Sequence, residues 1–129
     1  MAAGASAMTA FALPALSNRA LASDVVDYTL TAAPFRFSPA SGVNFSGLAF
    51  NGTIPGPLLR VVHGQQVRAK FINRTENGST IHWHGMILPN KMDGSEGVTQ
   101  PAVKPGESFL YEFSPDPPGL TAGCVTPSE

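Results

Sequence analysis

Cysteine is all but missing. Cys124 is the single one in 129 residues, so no disulfide can form within the chain. No histidine or methionine stands near it, and it reads as an incidental tail residue, not as a metal ligand or redox thiol. Charge of either sign is scarce: 8 basic against 9 acidic residues, net −1. That balance excludes the basic patch of a nucleic-acid surface and the polybasic arm that docks on anionic lipid. Long apolar runs are missing too, and nothing is long enough for a good membrane span. No convincing helical periodicity extends over ten residues or more, and there is no internal repeat, linker or low-complexity run. A length of 129 residues leaves room for one domain and not two.

What is abundant is punctuation. Glycine (13) and proline (12) are scattered singly between short apolar stretches, the pattern of many turns and short strands. The first 22 residues stand apart, with no acidic residue and one basic residue, Arg19. The run Met8 to Leu16 resembles a signal-peptide apolar region, and Ala20-Leu21-Ala22 fits a small-x-small cleavage site. No positive residue precedes that run, and a disordered leader is the alternative. Export to the periplasm or cell exterior is the expectation.

From Asp24 onward the signals are those of strands. Val25 to Thr31 is rich in β-formers and is expected to end before Ala32-Ala33-Pro34. Phe35 and Phe37 then alternate with Arg36 and Ser38. Gly47 to Phe50 runs into the turn Asn51-Gly52, and Pro55-Gly56-Pro57 bars a central strand there. Strands are expected at Leu58 to Val62 and, after a turn at His63-Gly64, at Gln66 to Asn73, with Val67, Ala69 and Phe71 on one face. Glu76-Asn77-Gly78 reads as a hairpin-like turn into a strand at Thr80 to His84. A loop with Pro89-Asn90 and Asp93-Gly94 follows, then Pro105-Gly106 and a final strand, Ser108 to Phe113. The fold class is all-β, a sandwich or barrel of Greek-key type.

His82 and His84 are one residue apart. On a strand, residues i and i+2 share a face, so both imidazoles can reach one cavity while Trp83 points to a core. Imidazole suits copper, zinc, iron and nickel, but two ligands complete a site for none of them. The only other histidine, His63, lies in a turn and reads as a surface residue. A lone His-X-His is often just two surface histidines. The alternating strand, the intervening tryptophan and the following Gly85 favour ligation.

Four stretches carry a resemblance. They are Asn51-Gly52-Thr53-Ile54-Pro55-Gly56-Pro57, Ile81-His82-Trp83-His84-Gly85, Met92-Asp93-Gly94 with Gly97-Val98-Thr99-Gln100-Pro101, and Pro105-Gly106-Glu107. In this order and spacing they resemble the first domain of multicopper oxidases, the laccase-like and bacterial copper-resistance oxidases among them. The likeness runs from about Asp24 to Gly119. It implies a cupredoxin-like Greek-key β-sandwich, with residues 1–22 a leader, 23–119 an N-terminal plastocyanin-like domain and 120–129 a tail outside the family pattern. In that family four His-X-His pairs from two domains hold a trinuclear copper cluster where O2 is reduced to water. By position, His82 is the type 2 copper ligand and His84 a type 3 copper ligand. The partners implied are O2 and a small reducing substrate, with no nucleic acid and no membrane span. Asp93 matches an acidic residue that assists proton delivery in the family, although an Asp-Gly turn former is the simpler reading. Glu96 is expected to face solvent. Asparagines 44, 51, 73 and 77 match the glycosylation sequon, which in a bacterial protein would mean nothing.

Beyond Gly119 the family continues with an aromatic strand and a second His-X-His pair, whereas Leu120 to Glu129 holds no histidine. The expectation is a domain cut short by a frameshift or a shortened reading frame. Its Ser108 to Phe113 edge would be open to self-association. Alone it would bind copper loosely and be inactive. One alternative is a small exported copper-binding cupredoxin-like module without oxidase activity. A single-domain electron carrier needs Cys, two His and often Met in set order, and here Cys124 follows both histidines with none after it. A sandwich domain with no metal is the third reading.

Overall fold

The computed structural model describes residues 25–116 with their side chains and residues 122–127 as backbone. The leader expected over residues 1–22 lies outside the described residues, as do the Cys124 thiol and residues 117–121. The described strands are β1 (Val25–Ala40), β2 (Val43–Phe50), β3 (Gln66–Asn73), β4 (Ser79–His84), β5 (Ser108–Phe113) and β6 (Ala122–Pro127), with one 3-10 turn at Asn90–Met92. One sheet has the order β2-β1-β3-β5, and a second pairs β4 with β6. β1 and β3 run parallel, so the chain must cross over between them, by way of β2 and residues 51–65.

The core lies between the two sheets. In β3 the period of two holds: Val67, Ala69 and Phe71 are buried while Arg68 and Lys70 are exposed. β5 does the same with Tyr111 and Phe113 inside and Leu110 and Glu112 outside. From the opposite sheet β4 sends in Ile81 and Trp83. The Trp83 ring lies edge-on to Tyr111, centroids 5.6 Å apart, and tilted on Phe113 at 4.9 Å. Burying such a side chain stabilises the fold by about 1.5–3 kcal/mol. This is a cupredoxin-like β-sandwich.

Several local expectations fail, each for a visible reason. β1 does not stop before Ala32 but runs on through Pro34 to Ala40. Its pairing with β3 ends at Ala32↔Asn73, and from Ala32 it pairs with β2 instead. Pro34 therefore sits beyond the β3 ladder, where its missing N–H leaves no gap on that side. Leu58 to Val62 forms no strand. Side chains hold it in place of a ladder. The Tyr28 hydroxyl both donates to the Arg60 carbonyl (2.6 Å) and accepts from the Arg60 N–H (2.9 Å), and Gln65 Oε1 accepts from the Val62 N–H (2.8 Å).

The turn at Glu76-Asn77-Gly78 closes no hairpin, because β3 and β4 belong to different sheets. Asn73, fully buried, organises that crossing. Its Nδ2 donates to the carbonyls of Asn77 and Val103, both at 2.8 Å, and its Oδ1 accepts from the N–H and hydroxyl of Thr75. Nor is Ser108–Phe113 the final strand, since β6 follows and pairs with β4 in the register His82↔Cys124. Backbone ladder groups on the edge of β4 accept a partner without requiring an apolar pattern in it. β5 is the outer strand of its own sheet, in line with an open edge at Ser108–Phe113 among the described residues.

Candidate metal centre

The alternation along β4 divides labour between its faces. Ile81 and Trp83 anchor in the core, so Thr80, His82 and His84 share the opposite side. His82 is half-buried and His84 exposed. Their rings lie side by side, centroids 5.7 Å apart and planes at 77°. Gly85, at φ +81, turns the chain out of the strand directly after the pair.

His82 is held by the loop that carries Asp93. Its Nδ1 lies 2.9 Å from the Asp93 backbone carbonyl oxygen. A carbonyl only accepts, so Nδ1 bears the proton and, in the neutral ring, Nε2 keeps its lone pair. Metal-binding histidines are held in this way, the second nitrogen donating to a fixed acceptor. The Asp93 carboxylate is close but not bonded, with Oδ2 at 3.6 Å from Nδ1, and it accepts instead from the Ser95 hydroxyl.

The loop itself is built against β4. The Asn90–Met92 turn brings the Asp93 N–H to the Asn90 carbonyl at 3.3 Å. Ser95 N–H donates to Thr99 Oγ1 (2.9 Å) and Gly97 N–H to the Gln100 carbonyl (2.9 Å), closing the far side. Behind the strand, the Ile81 N–H donates to the Tyr111 hydroxyl at 2.9 Å. Burial pushes the Tyr111 phenol above its ordinary pKa, and the Ile81 N–H and the nearby Gln100 side chain pull the other way.

Of the residues singled out in the sequence, His82, His84 and Asp93 come together. His63 stays in its exposed turn. Glu96 is half-buried, not solvent-facing, because an isolated bridge to Gln100 folds its backbone into the loop. Among the described residues no group of three or more His, Cys, Asp or Glu is placed to hold a metal ion. The donor type therefore fits copper, while the described donor set leaves the coordination incomplete. What the sequence did not disclose is that the Asp93 contact runs through the backbone and that Gly94 is pressed onto β4. The only signal for either was a glycine directly after an acidic turn residue.

A β-sandwich of this architecture, presenting two adjacent imidazoles from one strand, is a cupredoxin-like domain. The family model described as multicopper oxidase matches residues 32–122. The chain belongs to the multicopper oxidase family, and copper is the metal that this membership implies. It is similar to multicopper oxidase MmcO of Mycobacterium tuberculosis, 40% identical over 117 residues, covering 90% of this chain and 23% of that protein. It is also similar to copper resistance protein A of Pseudomonas syringae pv. tomato, 41% identical over 73 residues, or 57% of this chain and 12% of that one. Among solved structures, the blue copper oxidase from Nitrosomonas europaea superposes with a TM-score of 0.75 at 33% identity, over 78% of this chain and 32% of that one. The chain thus spans less than a quarter of the length of either curated relative.

Proposed function

We propose that His82 and His84 are copper ligands, His82 of a type 2 and His84 of a type 3 copper. The assembled protein would couple oxidation of a small reducing substrate to reduction of O2 to water. The observation that carries this reading is the pair of rings on one face of β4, 5.7 Å apart, with the His82 Nδ1 proton directed onto the Asp93 carbonyl. Copper held there would supply the one-electron steps that four-electron reduction of O2 requires. The chain's own part is to present imidazole nitrogens from a strand anchored by Ile81 and Trp83. The Asp93 carboxyl would pass protons from solvent toward the same face, a role that its half-exposed position beside His82 supports. The composition of residues 1–22 supports export to the periplasm or cell exterior. Among the described residues no helix is long and apolar enough to cross a membrane.

With two imidazoles the 129-residue chain alone binds copper weakly and turns over no substrate. Copper(I) titration should show binding that His82→Ala and His84→Ala each weaken by about 10-fold or more. Equal affinity in the double variant would remove the ligand assignment. Oxidation of a phenol or of cuprous ion by the chain alone would refute its inactivity.

A further inference from the structure

Two consecutive backbone carbonyls of the loop turn toward one face of β4. The Asp93 carbonyl takes the His82 Nδ1 proton at 2.9 Å, and the Gly94 carbonyl takes the Thr80 hydroxyl proton at 2.6 Å. Thr80 and His82 are two residues apart and so project from the same side of the strand. Between these two bonds Gly94 lies against the strand backbone. A Cβ added to it would stand 1.7 Å from the Ile81 carbonyl oxygen, 2.5 Å from its carbon and 3.0 Å from the His82 nitrogen, and its φ is +78. We infer that Thr80 and Gly94 are positioning residues that set the tautomer of His82, acting through the Asp93 backbone carbonyl and not through the Asp93 carboxylate.

A neutral imidazole in water favours the Nε2–H form, which would turn a proton, not a lone pair, toward a metal. An acceptor on Nδ1 reverses that preference. Two acceptors of Asp93 lie nearby. The carboxylate oxygen at 3.6 Å is beyond hydrogen-bond distance, while the carbonyl at 2.9 Å is within it. The carbonyl's place depends on the next peptide. Gly94 can approach the Ile81 carbonyl only because it has no side chain, and the Thr80 hydroxyl, buried beneath, holds the Gly94 carbonyl down. Any Cβ at position 94 must lift this stretch off β4 until the 1.7 Å contact opens to van der Waals distance, carrying the Asp93 carbonyl away from His82. The consequence for metal binding rests on the reading of His82 as a copper ligand; the tautomer itself does not.

The test is the ¹⁵N spectrum of the imidazoles in the metal-free 129-residue chain, at a pH where the rings are neutral, with His63 as internal reference. Wild type and Asp93→Asn should both show His82 as the Nδ1–H form, since the variant keeps the backbone carbonyl. Gly94→Ala should return His82 to the Nε2–H form. Thr80→Val should raise the Nε2–H fraction and Thr80→Ser restore it. Copper(I) titration of the same proteins should show affinity falling about 10- to 100-fold in Gly94→Ala. An Nε2–H His82 in wild type, a tautomer change in Asp93→Asn, or an unchanged tautomer in folded Gly94→Ala would overturn the inference. Should Gly94→Ala lose its dispersed spectrum, the Thr80 pair decides, and a tautomer indifferent to Thr80→Val refutes it. An Nδ1–H His82 that binds no copper would support the positioning role while sinking the ligand assignment.

Discussion

Replacing Tyr111 with phenylalanine removes one oxygen from the centre of the sandwich and nothing else. Tyr111 is fully buried, and its ring contacts with Trp83 and with Phe109 (centroids 4.7 Å) survive the change. What is lost is the acceptor for the Ile81 N–H, at 2.9 Å. Ile81 is itself fully buried, so no water replaces the missing partner. A buried backbone donor left unpaired costs about 1–3 kcal/mol. The expected loss is about 2 kcal/mol, or a fall in Tm of about 8–16 °C for a domain near 100 residues. The chain has one tryptophan, and Trp83 lies in contact with the altered site, so urea denaturation followed by its fluorescence reads the change directly.

The same variant carries a pH signature. Burial raises the folded phenol above its ordinary pKa of 10.0, so the folded chain holds this proton more tightly than the unfolded chain. Below the unfolded value both states are protonated and the contribution of the phenol is complete. As pH rises past that value the unfolded state loses the proton first, and wild-type stability falls by up to about 1.4 kcal/mol per pH unit until the folded phenol ionises as well. Tyr111→Phe has no such loss, so the gap between the two proteins should narrow above pH 10. A variant as stable as wild type at neutral pH would mean that the Ile81 N–H finds another acceptor. A gap that stays constant through the alkaline range would mean that the phenol is not the titrating group.

Asn73→Ala should lower stability by about 2–4 kcal/mol in the same denaturation assay, because four hydrogen bonds in a buried crossing disappear together. A loss below about 1 kcal/mol would show that the crossing from β3 to β4 does not depend on that amide. Leu110→Lys places a charge on the outward face of edge strand β5, where Leu110 is 40% exposed, and should lower self-association seen by sedimentation. Unchanged association would clear this edge of responsibility.

The strands most legible in the sequence are those whose two faces meet different surroundings. Gln66 to Asn73 was readable to the residue because Val67, Ala69 and Phe71 face a core and Arg68 and Lys70 face water. Ser108–Phe113 was readable for the same reason. Pattern fails where pairing, not burial, decides. β1 continues past Ala33-Pro34 because it changes partners there, and no local signal announces that change. Leu58 to Val62 has the composition of a strand, yet its hydrogen bonds go to the Tyr28 and Gln65 side chains, more than thirty residues away in the first case and three in the second. Asn51 was legible as a turn and motif residue and Asn73 as the end of a strand, but the side-chain bonds of neither were. In the fold each completes a backbone network, Asn51 by bonding Thr29 and Thr31 of β1. Such roles belong to the three-dimensional partner and leave no trace in the flanking residues.

The candidate site divides along the same line. That His82 and His84 share a face follows from the period of a strand, and the sequence alone sufficed for it. That the strand carrying them is anchored does not follow from the pair. It comes from the residues between and behind them: Trp83 wedged against Tyr111 and Phe113, and Ile81 tied through its N–H to the Tyr111 hydroxyl. On the other face the Asp93-Gly94 backbone closes on Thr80 and His82. β4 is thus gripped from both sides, by packing within the core and by carbonyls outside it. On the proposed copper reading, His82 gains from this grip before any metal arrives, because little conformational freedom remains to be lost on binding. The carboxylate of Asp93 takes no part in orienting His82: it accepts from the Ser95 hydroxyl and lies half-exposed beside the ring.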